Sequence, residues 1–277
     1  MRLGPSYDGP PILVIEGADD DQLEPLTRQR RRLQSLLREL TDEQWMAQSR
    51  CERWTVRDVV AHLVGVNAFW HASVRAGLAG TPTRVLGAFD PVTTPLLMVD
   101  SMQALTAADV LTEFESTNEA FLGIVAGLTP AQWSATVETP VGHVPLRLLA
   151  QHALWDCWIH ERDVAVPLGI PTTNEADEVE SCLKYAAAIG ATLEAGLGQV
   201  RRGSFAVAAS DPDVRFVVEV GDSVSVRELL DSSDVAWLRG HAATLTEVLS
   251  LREPMPPSAP AEWQQLLESL ATAFAAE

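Results

Sequence analysis

The sequence predicts an α+β protein: a four-helix bundle over residues 25–171, then a smaller α+β domain over residues 172–277, with residues 1–24 as an N-terminal arm. Two patterns lead there. Apolar residues recur at spacings of three and four in four long segments before Pro171, whereas β-type runs appear only after it. In addition, the phrase Leu40–Trp45 (LTDEQW) after the first helical segment is echoed by Leu128–Trp133 (LTPAQW) after the third. Aligning the helices that follow places Arg57 on Arg147 and His62 on His152, as expected of two αα-hairpins related by a pseudo-repeat.

The arm contains Gly4, Pro5, Gly9, Pro10, Pro11 and the acidic cluster Asp19 to Asp21, and reads as a segment laid on the surface with little function. From Pro25 the pattern turns helical, with Leu33, Leu36, Leu37 and Leu40 on one face. Thr55 and Asp58 form a Thr-x-x-Asp start signal for a second helix, whose stripe of Val59, Val60, Leu63, Val66, Trp70 and Val74 ends near Gly77 and Gly80. A loop with Pro82, Pro91 and Pro95 follows, long enough to cover something. Thr106 and Asp109 open the third helix; the fourth starts near Pro145 and stops at Pro167. Beyond Pro171 the expected elements are a helix over 175–196, strands over Ser204 to Ala209, Val214 to Val220 and Asp234 to Leu238, a helix over His241 to Leu251, and a closing helix from Trp263 to Phe274.

Composition narrows the function classes. The formal charge is −18, which repels phosphate backbones and anionic membrane surfaces, so neither nucleic acid nor membrane is an expected partner. No apolar run approaches the ~18 residues that cross a bilayer. Cys51, Cys157 and Cys182 are odd in number and form no Cys-x-x-Cys pair, which fits a reducing cytoplasm and argues against a thiolate zinc site. Phosphate-binding glycine loops and a Gly-x-Ser-x-Gly elbow are missing too.

The fourth helix carries the chemistry. Leu148, Leu149, Leu154, Trp155, Trp158 and Ile159 cover most of its circumference, yet His152, Asp156, His160 and Asp163 recur at four, four and three on one face. A buried polar stripe must be satisfied, because an unpaired carboxylate in a core is costly. A divalent metal does so: His62 on the second helix, with Asp156 and His160, makes a three-ligand set of the kind that leaves a zinc position open for water or substrate. Asp163, one turn on, can accept the second N–H of His160. An internally hydrogen-bonded network is the alternative reading of the stripe, and His152 competes with Asp156 as a ligand. Cys157 points away from the stripe as an inert buried thiol, Cys51 lies in a loop, and His143 and His241 sit at helix starts.

The phrases Leu40–Trp45, Ser49–Leu63 (SRCERWTVRDVVAHL) and Leu154–Asp163 (LWDCWIHERD) resemble the mycothiol-dependent maleylpyruvate isomerase family, within the DinB-like superfamily of metal-binding four-helix bundles. The resemblance covers about residues 26–170 and, more loosely, a C-terminal domain similar to the sterol-carrier-protein-like domain of the isomerases. It implies a divalent metal, usually zinc, on His62, Asp156 and His160, with mycothiol sulfur at the open position. The chain departs from the isomerases at Asp156, where they carry Glu, and so reaches one methylene less far into the site. Arg252 resembles an arginine of the C-terminal domain that faces the family's active site and would hold an acidic substrate. The expected function is thus a metal- and thiol-dependent isomerase or S-transferase acting on a small electrophile, in a pocket between the two domains. A hydrolase using metal-activated water and a non-catalytic metal or small-ligand binder are the alternatives.

Overall fold

A computed structural model describes residues 4–17, 22–88, 90, 93–196, 202–229 and 236–273. Asp19 to Asp21, Pro91, Asp234 and Phe274, used in the reading above, lie outside the described residues.

Strand β1 (Leu13–Ile15) precedes the long helix α1 (Leu23–Glu39) and the short α2 (Asp42–Trp45). Then come α3 (Val56–Leu78), α4 (Thr93–Asp100), α5 (Ala107–Ala126), a hairpin of β2 (Thr136–Thr139) and β3 (Gly142–Pro145), and α6 (Leu146–Ala165). The C-terminal part comprises α7 (Ala176–Gly196), β4 (Gly203–Ser210), β5 (Val214–Val220), β6 (Val224–Glu228), β7 (Ala236–His241), α8 (Ala242–Leu249) and α9 (Ala261–Ala273).

Local chemistry sets the helix starts. Thr55 and Thr106 accept from the backbone N–H groups of Asp58 and Asp109, whose carboxylates bond back to the cap, so two orphan donors are satisfied at each start. Of the echoed phrases, Thr41 and Gln44 build the same capping box, whereas at Thr129 the backbone N–H and the hydroxyl both donate to Gln132 Oε1 and the Gln132 N–H meets the Thr129 carbonyl. The bundle itself differs from the expectation of two hairpins: α1 packs against α6 and α5, and α3 against α5 and α6, so the consecutive pairs α1/α3 and α5/α6 lie on diagonals. The connections of residues 40–55 and 127–145 are long enough to cross an end of the bundle, which a short hairpin turn is not.

The arm is more than a surface tether. Its residues Leu13 to Ile15 pair in parallel with Val224 to Val226, making β1 the edge of a five-stranded sheet in the order β1-β6-β5-β4-β7. Ser6 bonds to Val141 in the β2–β3 turn and to His143 of β3, on either side of Gly142, whose φ of 111° and closeness to the Ser6 backbone leave no room for a side chain. The Tyr7 hydroxyl donates to Glu138 at 2.6 Å; that fully buried carboxylate also takes the N–H groups of Val85 and Leu86. His143 therefore lies in a strand, bridging the carbonyls of Tyr7 and Thr83, and not at a helix start.

Helix α7 joins the two halves. It packs on α6 and α1 of the bundle and on α8, α9 and the sheet. The sheet turns Val214, Phe216, Val218, Val220, Val224 and Val226 inward, and one apolar core runs from Trp70 and Leu149 through Tyr185 to Phe216 and Trp263. The covering loop is partly helical, with Pro95 in the first turn of α4 and Met98 resting on Gly65 of α3. No helix among the described residues is long and apolar enough to cross a membrane.

Candidate metal centre

Helix α6 is buried at nearly every position, so its polar stripe sits inside the protein. His62, Asp156 and His160 are 5, 8 and 1% exposed, and one potential ligand atom from each lies within 4.8 Å of the other two. Asp156 Oδ1 is 4.0 Å from His62 Nε2 and 3.7 Å from His160 Nε2. These separations are too long for hydrogen bonds and suit three ligands around a common point. Both ring nitrogens of His62 and Oδ2 of Asp156 are buried without a hydrogen-bond partner among the described residues. Such orphans are rare in native interiors because each forfeits its hydration. A divalent cation on these three side chains would satisfy Asp156 and one nitrogen of His62, so the residues present fit the group.

His160 is held from behind. Its Nδ1 is 3.0 Å from Asp163 Oδ2, which turns Nε2 toward Asp156. Asp163 is fully buried and accepts from Arg252 at both oxygens, at 2.9 to 3.1 Å, and from the Cys51 thiol at 3.3 Å. Burial opposes the Asp163 charge, but Arg252 and His160 outweigh it and hold the carboxyl well below the usual range. Asp156 is likewise held low against its burial by the imidazoles of His62 and His160. Burial works against a charged His160 too, yet Asp163, Cys51 and Asp156 raise its affinity for a proton well above the ordinary value. The centre thus favours positive charge. Cys51, His160 and Asp163 form a second close cluster, but their polar atoms already bond to one another and the Arg252 guanidinium sits on them, so this cluster supports the first.

Arg252, read from sequence as a substrate holder, is thus placed against Asp163. The loop before α3 contributes as well. The Trp54 ring packs on His62 at 5.1 Å between centroids, and Arg50 bonds to Glu247 and to the carbonyl of Arg252 while its backbone N–H meets the Asp163 carbonyl. Ser250 accepts from Trp155 of α6 at 2.8 Å. In the sequence Arg50 carries no mark of its own, Cys51 reads as a loop thiol and Trp54 as a core anchor, although all three stand within the phrase that leads into His62. His152 lies on the ligand stripe but turns aside: its Nδ1 pairs with the Tyr185 hydroxyl, among the rings of Trp70 and Trp155. Cys157 is a buried thiol pushed up to about 11 by burial.

Fold and site together define a four-helix bundle with an internal two-histidine, one-carboxylate centre, backed by an α+β domain. The mycothiol maleylpyruvate isomerase N-terminal domain family matches residues 26–165, half of the chain, and the chain belongs to that family. A crystal structure of the mycothiol-dependent maleylpyruvate isomerase superposes with a TM-score of 0.61 at 15% identity, covering 85% of this chain and 95% of that one. A histidine-to-alanine mutant of the isomerase gives 0.61 at 14% identity, with the same coverage. YfiT from Bacillus subtilis, described as a probable metal-dependent hydrolase with an unusual four-helix bundle topology, gives 0.40 at 15% identity over 61% of this chain and 98% of its own. No curated protein matches by sequence. The two isomerase structures establish the shared fold; at such identity the reaction is a separate question.

Proposed function

We propose that the chain is a metal-dependent enzyme that uses a low-molecular-weight thiol, mycothiol or a relative of it, to isomerise or S-conjugate a small electrophilic substrate. The observation that carries this reading is the trio of orphaned atoms, His62 Nδ1 and Nε2 and Asp156 Oδ2, converging with His160 on one buried point. His62, Asp156 and His160 would hold the cation. Bound there, a divalent ion such as zinc would supply the Lewis acidity that keeps a thiol deprotonated at neutral pH, and a thiolate adds to electron-poor conjugated carbon.

The protein's own residues do the rest. Asp163 fixes the tautomer of His160, and Arg252 and Cys51 fix Asp163, so that Nε2 is presented to the centre. Trp54 excludes water from one flank of His62. No cysteine supplies the thiolate: burial raises the Cys51, Cys157 and Cys182 thiols, and none of them lies in the His62 cluster. An external thiol is therefore the natural partner for a cation that His62, Asp156 and His160 would hold. Arg252 acts through Asp163 and His160 as a positioning residue.

The test is elemental analysis of the purified chain and of His62→Ala and His160→Ala, joined to assays of maleylpyruvate and other conjugated acids with and without mycothiol. About one divalent ion per chain, lost from both variants, and turnover that requires thiol are expected. Full metal content in both variants would overturn the ligand set. Ester or amide hydrolysis without thiol would replace the thiol chemistry with metal-activated water.

A further inference from the structure

A second recess lies on the far side of α6 from the metal ligands. Arg147 and Gln151 precede Asp156 by nine and five residues, which places them about 180° and 140° around the helix from it. They line a groove of about 520 Å³, closed opposite by Pro11 to Gly17 of the arm and floored by Pro145 and Leu148. That volume is within the range of small-molecule sites.

Three features of the groove are unfinished. Gln151 is 1% exposed, yet its carboxamide oxygen is buried with no partner. Arg147 has no carboxylate within 4 Å among the described residues; its guanidinium meets Ser134 Oγ at 3.4 Å. Among the described residues this cation therefore has no anionic partner, on a chain of charge −18. It stands in the first turn of α6, which opens at Pro145 without a capping side chain, so the positive end of the helix dipole adds to it. The third feature is the outer edge of β1. The carbonyl of Ile12 and the N–H of Glu16 bond to β6, so in this parallel pairing the backbone polar groups of Leu13 and Ile15 point away from the sheet.

We infer that this groove binds a small carboxylate carrying an amide and an apolar side chain, of the N-acyl amino acid kind. The carboxylate meets Arg147 at the start of α6. The ligand's amide answers the Gln151 carboxamide and the open edge of β1, and its apolar group rests on Leu148 and Pro145. Glu16, also lining the groove from its exposed rim, works against the anion.

N-acetyl-L-leucine is the probe, titrated into the full-length protein by calorimetry and by NMR. A ligand of this size is expected to bind in the millimolar range. Arg147→Met should weaken binding about tenfold and Gln151→Leu severalfold, with metal content unchanged, whereas Glu16→Gln should tighten it. The methyl ester of the probe, lacking the carboxylate, should bind like the Arg147→Met case. Lack of saturation at about 20 mM, or equal binding by Arg147→Met, would overturn the site. Arg147 is only half-buried, so that variant remains folded and the result stays readable.

Discussion

On one side of α6, Glu161 meets Arg32, Gln29 and, through Arg32, Glu178 of α7; on another, Asp156 and His160 meet His62. Both clusters are buried, and both join α6 to a neighbouring helix. In the first, every carboxylate oxygen has a donor: Glu161 accepts from Arg32 Nε and Nη2 and from Gln29 Nε2, and Glu178 from Arg28 and Arg32, at 2.7 to 3.1 Å. In the second, three polar atoms have none. Burial is common to the two, so burial alone does not mark a functional site; what separates them is whether the chain supplies the partners. In the Glu161 cluster one neutral atom, Gln29 Oε1, is unpartnered while every charged oxygen is answered; in the His62 cluster the unanswered atoms are the potential ligands themselves, left open for a cation.

The sharpest way to break this comparison is to remove the shared guanidinium. Arg32→Met leaves Glu161 and Glu178, 2 and 0% exposed, short of their common partner. The expected loss of unfolding free energy, measured by urea denaturation, is about 3–5 kcal/mol, with metal content unchanged. A loss below about 1 kcal/mol would mean that the joint is not what holds α1, α6 and α7 together.

His152 offers an intermediate case, on the ligand stripe but with Tyr185 as its own partner. Burial lowers it to about 4, with the Asp156 charge opposing and His62 assisting. The sign follows from proton uptake. Below about pH 6.5 the unfolded chain protonates this histidine and the folded chain does not until about pH 4, so stability drains away as the pH falls through that window. The full loss is about 3 kcal/mol. In His152→Phe this component disappears, so the drop in urea stability from pH 7 to pH 4.5 should shrink by about 2–3 kcal/mol. An unchanged drop would place the acid sensitivity elsewhere.

The depth to which the sequence was readable follows the range of each interaction. Capping boxes at Thr55 and Thr106 and the α6 stripe are local, with partners three or four residues apart, and were legible. The three residues of β1 were not, because their partner strand begins more than 200 residues later and no alternation can show in so short a run. The β2–β3 hairpin was hidden similarly: its buried Glu138 is satisfied by Tyr7, Val85 and Leu86, none of them near in sequence. For the site, helical spacing placed Asp156, His160 and Asp163 on one face. The partner of Arg252 was not deducible, since an arginine 89 residues from Asp163 carries no mark of which carboxylate it will meet.

A smaller effect is expected behind the open centre. Asp163→Asn keeps the shape but weakens the hold on His160 and its basicity, so metal affinity measured by chelator competition should fall about 10–100-fold. Arg252→Met should fall in the same direction by less, and the double variant by less than the product, because both act on one histidine. Independent, multiplying effects would separate Arg252 from this chain of contacts.

The smallest expected effect bears most directly on why the two clusters differ. In metal-free protein, His62 keeps both ring nitrogens buried and unbonded against Trp54, a condition that costs stability. Phenylalanine fills a similar volume without the polar atoms. His62→Phe, compared with the parent chain in excess chelator, should therefore be unchanged or up to about 1 kcal/mol more stable, even though it no longer holds a metal. The corresponding exchange in the other cluster, Gln29→Leu, relieves one unpaired oxygen but takes the Gln29 Nε2 donor from both Glu161 and the buried Cys157 carbonyl, and should instead cost about 1 kcal/mol. Opposite signs for two buried polar-to-apolar changes would show that one cluster is built for the folded chain and the other for its cation. A loss above about 2 kcal/mol in His62→Phe would mean that the imidazole is bonded in the free protein, and the ligand set would lose the observation on which it rests.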